Sequence, residues 1–588
     1  MTSQEPSGNG GDRGSAIRFQ PNENPPTPLA MGLGAQLALV QIAGIMLTPV
    51  IVVRAAGLAE DAYLSWAVFA AVLVSGISTI LQAVKVGRLG AGHVLTMGTS
   101  GAFIAVSATA LRIGGPGLLA SLVMASSLCQ FVLAWRLSWL RRIVTPTIAG
   151  TVIMLIAVAV MPILFPMLSD APEGSPLSHA AIPAGVTLAA IIALALRGAG
   201  QLRVWAPLIG VAVGSATAAI LGVYDTTAIQ EAAWFGVPAA AWPGFRLDFG
   251  PSFWAMLPAF VFVTMVGAIE TIGDAIAIQR VSWRGRRAPD YRVVEGAVAA
   301  DGAGNLLSGL AATVPNTTYS TTVAVTELTG AASRRIGVWI GVSLLALALL
   351  PKAGALFLAV PNPVVGAFGL AMIAILFTVG MRMVVQDGMT MQKATVVGIS
   401  FWIGAGFQAG AIFGDTLGAS VPLLQNGMTA GGLAAILLMV FLILTGPRAR
   451  RLDATLEVAA GERIAAFLSG LAAERRWDSR STYRLLSAGE EALLSLAGDA
   501  EEETAAGAAG VRKLRLTARL SRESAELEFV ASAGEDNLED RLTLLSGHSE
   551  AAEPGDLSLR LLGNYASAVR HQKYYGLDVV TVRVDARR

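Results

Sequence analysis

Three carboxylates interrupt apolar stretches of this chain. Glu270 and Asp274 lie in Gly267-Ala268-Ile269-Glu270-Thr271-Ile272-Gly273-Asp274, and Asp301 lies in Ala300-Asp301-Gly302-Ala303-Gly304-Asn305. An aspartate at the centre of a membrane helix costs about 3 kcal/mol on insertion scales. Such residues persist where they pair, face water or carry function. Glu270 and Asp274 are spaced i, i+4 and share a helical face. Two ionised carboxylates there repel, so one is expected to hold a proton near neutral pH. No Lys or Arg lies in the apolar interior of these two segments to neutralise them. The chemistry on offer is proton exchange and acceptance of hydrogen bonds from a ligand. Structural roles stay open for each residue. Asp274 is followed closely by Arg280 and could be interfacial. Asp301 could cap a half-helix. Glu270, preceded by the apolar run Val261–Ile269, could donate a single structural hydrogen bond.

A second polar cluster is Pro315-Asn316-Thr317-Thr318-Tyr319-Ser320-Thr321-Thr322. Its Pro break and many hydroxyls could free backbone groups to meet a planar polar ligand. The alternative is a Thr-rich helix whose hydroxyls bond the preceding turn. An enzyme is the least favoured reading, because no nucleophile–base pair stands out and His93 and His179 are isolated.

The elements that must position these groups follow from charge and hydropathy. The chain has 588 residues, with 42 Lys plus Arg and 41 Asp plus Glu. From Arg451 onward there are 18 basic and 23 acidic residues in 138, about 30%; the first 450 hold the remaining 42, about 9%. A uniform soluble globule carries roughly a quarter charged residues throughout. The distribution predicts a large membrane domain followed by a small soluble one. Net charge +1 points to no nucleic-acid partner. The single cysteine, Cys129, forms no internal disulfide, and no metal-thiolate site is indicated. Residues 1–28, rich in Gly, Pro, Ser and Asn, are expected to be a disordered tail and not a signal peptide.

A spanning helix needs roughly 20 mostly apolar residues. Twelve candidates fall near 31–53, 62–84, 116–135, 144–165, 180–197, 204–223, 253–279, 294–312, 335–351, 363–381, 393–412 and 429–446. Two shorter stretches, Thr99–Leu111 and Thr317–Gly330, bring the total to 14. If every segment crosses from a cytoplasmic N-terminus, Lys and Arg collect in the inner loops, among them Arg136, Arg141, Arg142, Arg280, Arg284, Arg334 and Arg335. The outer loops keep only Arg54, Arg112, Arg246 and Lys352 as basic residues. Omitting either short segment inverts the rest. The short segments stand third in each group of seven. Matched interrupted segments point to an inverted-repeat transporter whose site lies between Thr99–Phe103 and Thr317–Thr322.

At these residues the chain resembles the nucleobase–ascorbate transporters (nucleobase:cation symporter-2 proteins, xanthine/uracil permease-like) over roughly 30–445. The resemblance is carried by Gln36 with Ala43-Gly44 and Pro49; Gly76-Ile77-Ser78-Thr79-Ile80-Leu81-Gln82; Gly98-Thr99-Ser100-Gly101-Ala102-Phe103; and Thr145-Pro146-Thr147-Ile148-Ala149-Gly150-Thr151. Further matches are Ile269 to Asp274, Ala300 to Asn305 with Gly309, and Leu328-Thr329. The resemblance implies an all-α polytopic membrane protein at residues 30–447. Its 14 transmembrane segments form a 7+7 inverted repeat split into core and gate domains. It also implies an elevator movement, a homodimer joined by the gates, and proton-coupled uptake of a nucleobase (a purine such as xanthine or urate, or uracil) or a related planar heterocycle. Glu270 would meet ring N–H groups. Asp274 and Asp301 match positions tied to substrate and cation coupling, and Ala102, Phe103 and Ser320 match positions that meet the base. No cofactor is implied; the proton is the coupling ion. The Gln-Asn-x-Gly signature departs here to Thr321, Thr322 and Ala324, a His to Leu37, and a Phe to Gly101. A Gln amide offers donor and acceptor, whereas Thr offers a shorter hydroxyl, so an altered substrate is expected, with Thr321 and Thr322 as candidate contacts.

Residues 455–588 read as a cytoplasmic α+β regulatory domain. Helices are expected at Arg463–Leu471, Thr482–Ala497 and Leu557–Val569, with strands at Lys513–Ala518, Ala525–Val530 and Val579–Val584. With Gly489-Glu490-Glu491-Ala492 it distantly resembles anti-sigma-factor-like, histidine-kinase-type ATPase domains. Ser495 and Ser532 stand where that pattern has its Mg²⁺-binding Asn and its Gly-box Asp, so an interaction module with a cytoplasmic partner is expected rather than ATP binding. Rival readings of the membrane block are a sulfate-transporter-like anion exchanger or channel, which calls for a cationic site, and a ligand-sensing receptor signalling through the tail.

Overall fold

The computed structural model describes residues 17–58, 62–135, 145–171, 174–285, 287–386, 388–412, 427–445, 449–505, 513–521, 523–532, 561–574 and 577–586. Arg136, Arg141 and Arg142 of the expected inner loops, and residues 1–16 of the expected tail, lie outside them.

The chain opens with α1 (Thr27–Ala55) and α2 (Tyr63–Val84), followed by the short strand β1 (Met97–Thr99), a 3-10 turn (Gly101–Phe103) and α3 (Ile104–Trp135). The expected separation between Thr99–Leu111 and 116–135 is a sharp break inside α3. Gly115 has φ 65° and ψ −164°, and Pro116, which cannot donate an N–H, follows it. Next come α4 (Pro146–Leu168), α5 (Ser178–Arg197), α6 (Ala206–Ile220), α7 (Pro251–Arg280) and α8 (Tyr291–Leu310). The second short strand, β2 (Asn316–Thr318), leads into the nine-residue helix α9 (Thr321–Thr329). The domain closes with α10 (Arg334–Ala348), α11 (Pro351–Leu358), α12 (Asn362–Gln386), α13 (Met391–Gln408) and α14 (Gly427–Thr445). Among the described residues, eight helices are long and apolar enough to span a membrane, or nine if α10 and α11, bent by 79°, count as one.

The centre is built by a backbone problem and its solution. Non-helical chain at membrane depth must have its N–H and C=O groups satisfied by protein. Strands β1 and β2 pair antiparallel, with Met97 opposite Thr318, Gly98 opposite Thr317 and Thr99 opposite Asn316. The pairing extends beyond the strands: the Ser100 N–H donates to Pro315 O at 2.9 Å and the Tyr319 N–H to Thr96 O at 2.9 Å. The Met97 N–H donates to Thr79 Oγ1 at 2.9 Å. Pro49 has no N–H to give Ile45 O, one turn earlier in α1. The Thr99 hydroxyl reaches that carbonyl and Gly44 O, each at 3.1 Å. The proline thus creates the acceptor that fastens β1 to α1.

The Tyr319 ring fills the gap between α1 and β1, and its hydroxyl donates to Thr99 O at 2.9 Å. A Cβ at Gly98 would lie 2.5 Å from that ring, and one at Gly44 3.2 Å from its oxygen.

Arg54, at the end of α1, donates to Leu358 O, Val360 O and Asn362 Oδ1 at 2.6, 2.9 and 2.7 Å. This cation takes up carbonyls left open at the C-terminal end of α11. Residues 17–26, inside the stretch expected to be disordered, lie against the α9–α10 turn. Phe19 bridges Ala331, and Ser333 Oγ donates to Glu23 O at 2.6 Å. Glu23 also accepts from Arg284 through both carboxylate oxygens, at 2.6 and 2.8 Å.

The tail has its own hydrophobic core. Its strands β3 (Arg450–Thr455), β4 (Lys513–Leu520), β5 (Ser524–Ser532), β6 (Ala568–Tyr574) and β7 (Leu577–Asp585) form an antiparallel sheet of order β3-β4-β5-β7-β6. Helices α15 (Gly461–Glu474) and α16 (Ser479–Ala505) cover one face. Register aligns Leu516, Phe529 and Val580 across three strands toward them. Helices and strands combine here as the α+β expectation had it, with two corrections: the sheet starts at Arg450, ahead of the expected boundary at 455, and a late helix is cut short. Of the helix expected over Leu557–Val569, residues 561–565 are helical, but Ala568 and Val569 already belong to β6, where Val569 pairs with Val582. Residues 557–560 lie outside the described residues.

Two outcomes are expected. Gly98→Ala drives a methyl group into the Tyr319 ring and should destabilise the protein by about 1–3 kcal/mol, seen as a lower unfolding midpoint in detergent. Arg284, chiefly through its side-chain hydrogen bonds, holds the Glu23 carboxyl below its ordinary value. A lowered carboxyl pKa gives a contact that is full above the unfolded value, near ~4.3, and lost as pH falls through the folded one. A spin label at Gln20 should be immobile at neutral pH and mobile in acid, and Glu23→Gln should abolish the transition.

Candidate functional site

Helix α7 presents Glu270, Thr271 and Asp274 to the β1–β2 crossing, and α8 brings Asp301 and Asn305, spaced i, i+4, to the same place. Asp301 is fully buried. Its Oδ2 accepts from Gln130 Nε2 of α3 at 2.6 Å and from the Thr271 hydroxyl at 2.8 Å. Its Oδ1 accepts from Asn305 Nδ2 at 3.3 Å. The Asn305 amide also donates to Gln130 Oε1 at 3.0 Å, and its carbonyl oxygen accepts the Asn316 N–H of β2 at 2.6 Å. One carboxylate thereby ties α3, α7 and α8 to the crossing.

Asp274 is also buried. It accepts from the Thr318 hydroxyl at 2.7 Å and the Ser320 hydroxyl at 2.6 Å. The interfacial role left open for Asp274 is therefore not what the structure places there; the residue faces the Thr-rich segment. Asp301 likewise does not cap its own helix, since it lies in the middle of α8.

Glu270 differs from both. It is half-buried, and among the described residues its carboxyl makes no hydrogen bond or ion pair. Asp274 and Asp301 are its electrostatic neighbours. Its acceptor capacity is open to a ligand, and the nearby donors are already committed to the two aspartates.

Phe103 and Ala102 are buried in the 3-10 turn after β1. The Phe103 ring lies 6.2 Å from that of Phe260, and a Cβ at Gly267, one turn before Glu270, would lie 3.9 Å from it. An aromatic face therefore sits beside the helix that carries the free carboxyl. Gly101 has open space where a side chain would project. Ser320 and Thr321 are exposed and Thr322 is buried. The first-turn N–H groups of a helix lack intrahelical partners and carry its positive dipole end. Helices α3 and α9 both start at the crossing, but their opening N–H groups are already taken: Ile104 N–H donates to Gly101 O, Thr322 N–H to Tyr319 O, and the Val323 and Ala324 N–H groups to Ser320 O. Carboxylate acceptors, hydroxyls and an aromatic face together can hold an uncharged, planar, polar ring.

The crossing brings together Ala102, Phe103, Glu270, Asp274, Asp301 and Ser320. The Thr321 and Thr322 hydroxyls are tied to α1, accepting from Gln41 Nε2 at 3.3 and 3.1 Å. Sequence reasoning passed over Gln41 and Gln130 as sites, as well as the roles of Thr271, Thr318 and Tyr319. A usable signal existed for the two glutamines, since a primary amide inside an apolar span needs a partner as a carboxylate does. Thr318 and Tyr319 fall within the hydroxyl-rich cluster that the sequence marks, though their partners do not show in it, and no comparable signal marks Thr271.

Comparison with known proteins adds four findings. The Permease family profile matches residues 29–412. The xanthine permease XanP of Escherichia coli strain K12 is 29% identical over 446 residues, covering 72% of this chain and 94% of that protein. The uric acid permease PucK of Bacillus subtilis strain 168 is 29% identical over 424 residues, covering 70% and 95%. Among solved structures, the transmembrane domain of a cyanobacterium bicarbonate transporter, BicA, aligns with a TM-score of 0.49 at 14% identity, covering 72% of this chain and 100% of that one.

Replacing Gln130 by Leu removes a donor from a buried carboxylate. We expect a loss of about 1–3 kcal/mol of stability, read as a lower unfolding midpoint. An unchanged midpoint would mean that the Asp301 network does not hold α3 to α8.

Proposed function

The chain belongs to the Permease family, the nucleobase–ascorbate transporters, and from that membership we propose that it is a proton-coupled secondary active transporter taking up a nucleobase or a closely related planar heterocycle. The observation that carries this reading is the free carboxyl of Glu270 beside two hydrogen-bonded aspartates at the β1–β2 crossing. The substrate ring lies against Phe103 and offers its N–H groups to Glu270. Ser320, together with the backbone at Ala102, completes the contact. The relatives named for xanthine and uric acid support a purine. The Thr321 and Thr322 replacements support a preference of this chain's own.

The proton travels on the carboxyl cluster. None of the three carboxyls has a cationic partner among the described residues, so a proton is the neutralising charge the site can take up and release. Glu270 meets the substrate, and Asp301, wired to three helices, takes the proton and ties its arrival to the geometry of the crossing. An anion exchanger would call for a positive site, which three carboxylates oppose.

The finer architecture belongs to the same proposal. Fourteen segments form a 7+7 inverted repeat, with the paired breaks at β1 and β2 as third segments. The core carries the site past a gate domain in an elevator movement, and gates join a homodimer. The protein lies in the cell (inner) membrane with both termini cytoplasmic, and the tail is a regulatory module for a cytoplasmic protein partner.

The test is uptake into proteoliposomes under an inward proton gradient. Glu270→Gln loses a charge-assisted hydrogen bond, typically ~1.5–3 kcal/mol, and should weaken substrate binding roughly ten- to hundred-fold. Undiminished, gradient-driven uptake by this variant would remove Glu270 from the mechanism.

A further inference from the structure

Gln41 lies in the apolar middle of α1 and is 3% exposed. Its Nε2 donates to the hydroxyl oxygens of Thr321 and Thr322, and its Oε1 has no partner. An amide buried this way, half-satisfied, is costly unless something uses it. Thr321 and Thr322 occupy the places where the resemblance calls for Gln and Asn. The amide missing from α9 is therefore matched by one reaching the same two residues from α1.

The direction of these hydrogen bonds has a chemical consequence. A hydroxyl has one proton to give. Because Thr321 Oγ1 accepts from Gln41, its proton is left to give; Thr321 is exposed and follows Ser320, whose own hydroxyl donates to Asp274. Thr322 is fixed differently, since its oxygen also accepts the Thr96 N–H at 3.4 Å and the residue is buried. Thr321 is thus the hydroxyl turned outward as a donor, and a donor at that position selects a ring carbonyl over a ring amino group.

We infer that Gln41 is a specificity-determining residue, which acts by orienting the Thr321 hydroxyl as a donor and so selects oxo-substituted over amino-substituted planar heterocycles. The inference rests on the nucleobase reading of the site given above. Glutamate is nearly the size of glutamine, but its carboxylate only accepts. In Gln41→Glu the Thr321 proton turns back toward α1, and only oxygen lone pairs face the ligand. Methionine at this position neither donates nor accepts strongly and leaves the hydroxyl unoriented.

The experiment is equilibrium binding to the full chain in detergent, with xanthine, hypoxanthine, uracil and adenine as probes. It compares the wild type with Gln41→Glu, Gln41→Met, Thr321→Val and the double variant Gln41→Glu/Thr321→Val, each checked for monodisperse elution. The wild type should favour the oxo bases. Gln41→Glu should shift the hypoxanthine-to-adenine affinity ratio about ten-fold toward adenine, the scale of one hydrogen bond, and Gln41→Met should shift it less. On the Thr321→Val background the Gln41 change should leave the ratio unmoved. A ratio that stays put in both folded Gln41 variants, or moves equally with and without the Thr321 hydroxyl, overturns the inference. Failure of the wild type to bind any probe would instead overturn the nucleobase reading.

Discussion

Everything at the centre of this protein depends on satisfying peptide groups that no helix can satisfy. Six buried residues of strand, three from β1 and three from β2, pair with each other. Each side group that secures them comes from a different helix: Thr79 from α2, Asn305 from α8, and the carbonyls around Pro49 from α1. The crossing is consequently fixed with respect to the helices around it. Two further helices, α3 and α9, begin there, their opening N–H groups taken up by the turns that precede them. Polar residues are thereby gathered at one place by the demands of the backbone.

The carboxylates divide that place between construction and use. Asp301 and Asp274 accept from neutral donors and so hold elements together, whatever else they do. Glu270 is near both and bonded to neither. On the reading proposed here, the same repulsion that keeps three carboxylates from all being charged makes the site responsive to a proton. The donors around Asp301 transmit that response to α3, α7 and α8 together. Substrate recognition and proton uptake are then two effects of one small volume, without a separate coupling pathway.

Much of this was legible in the sequence, and the boundary of legibility has physical causes. Long apolar runs located the helices, because lipid imposes a length and a composition that a single chain displays. The matched short segments located the crossing for the same reason in reverse: they are too polar or too short to span. Glu270, Asp274 and Asp301 stood out by cost. Gln41 and Gln130 carry a similar burial cost without a charge, and were overlooked beside the carboxylates. Partners could not be read at all. Thr318 meeting Asp274, or Pro49 exposing a carbonyl for Thr99, is a relation between segments tens to hundreds of residues apart. In the tail, strand β6 was mistaken in part for helix because Ala568-Val569 continues an apolar pattern from the preceding helix, and short apolar runs fit either period.

The most direct measurement is a structure determined with the tightest-binding nucleobase of a purine and pyrimidine panel. The account places the ring at the β1–β2 crossing, against Phe103, with a ring N–H donating to Glu270 and Ser320 on its opposite edge. A ligand seated away from the crossing, or a Glu270 carboxyl turned from it into the surrounding helices, would contradict the account.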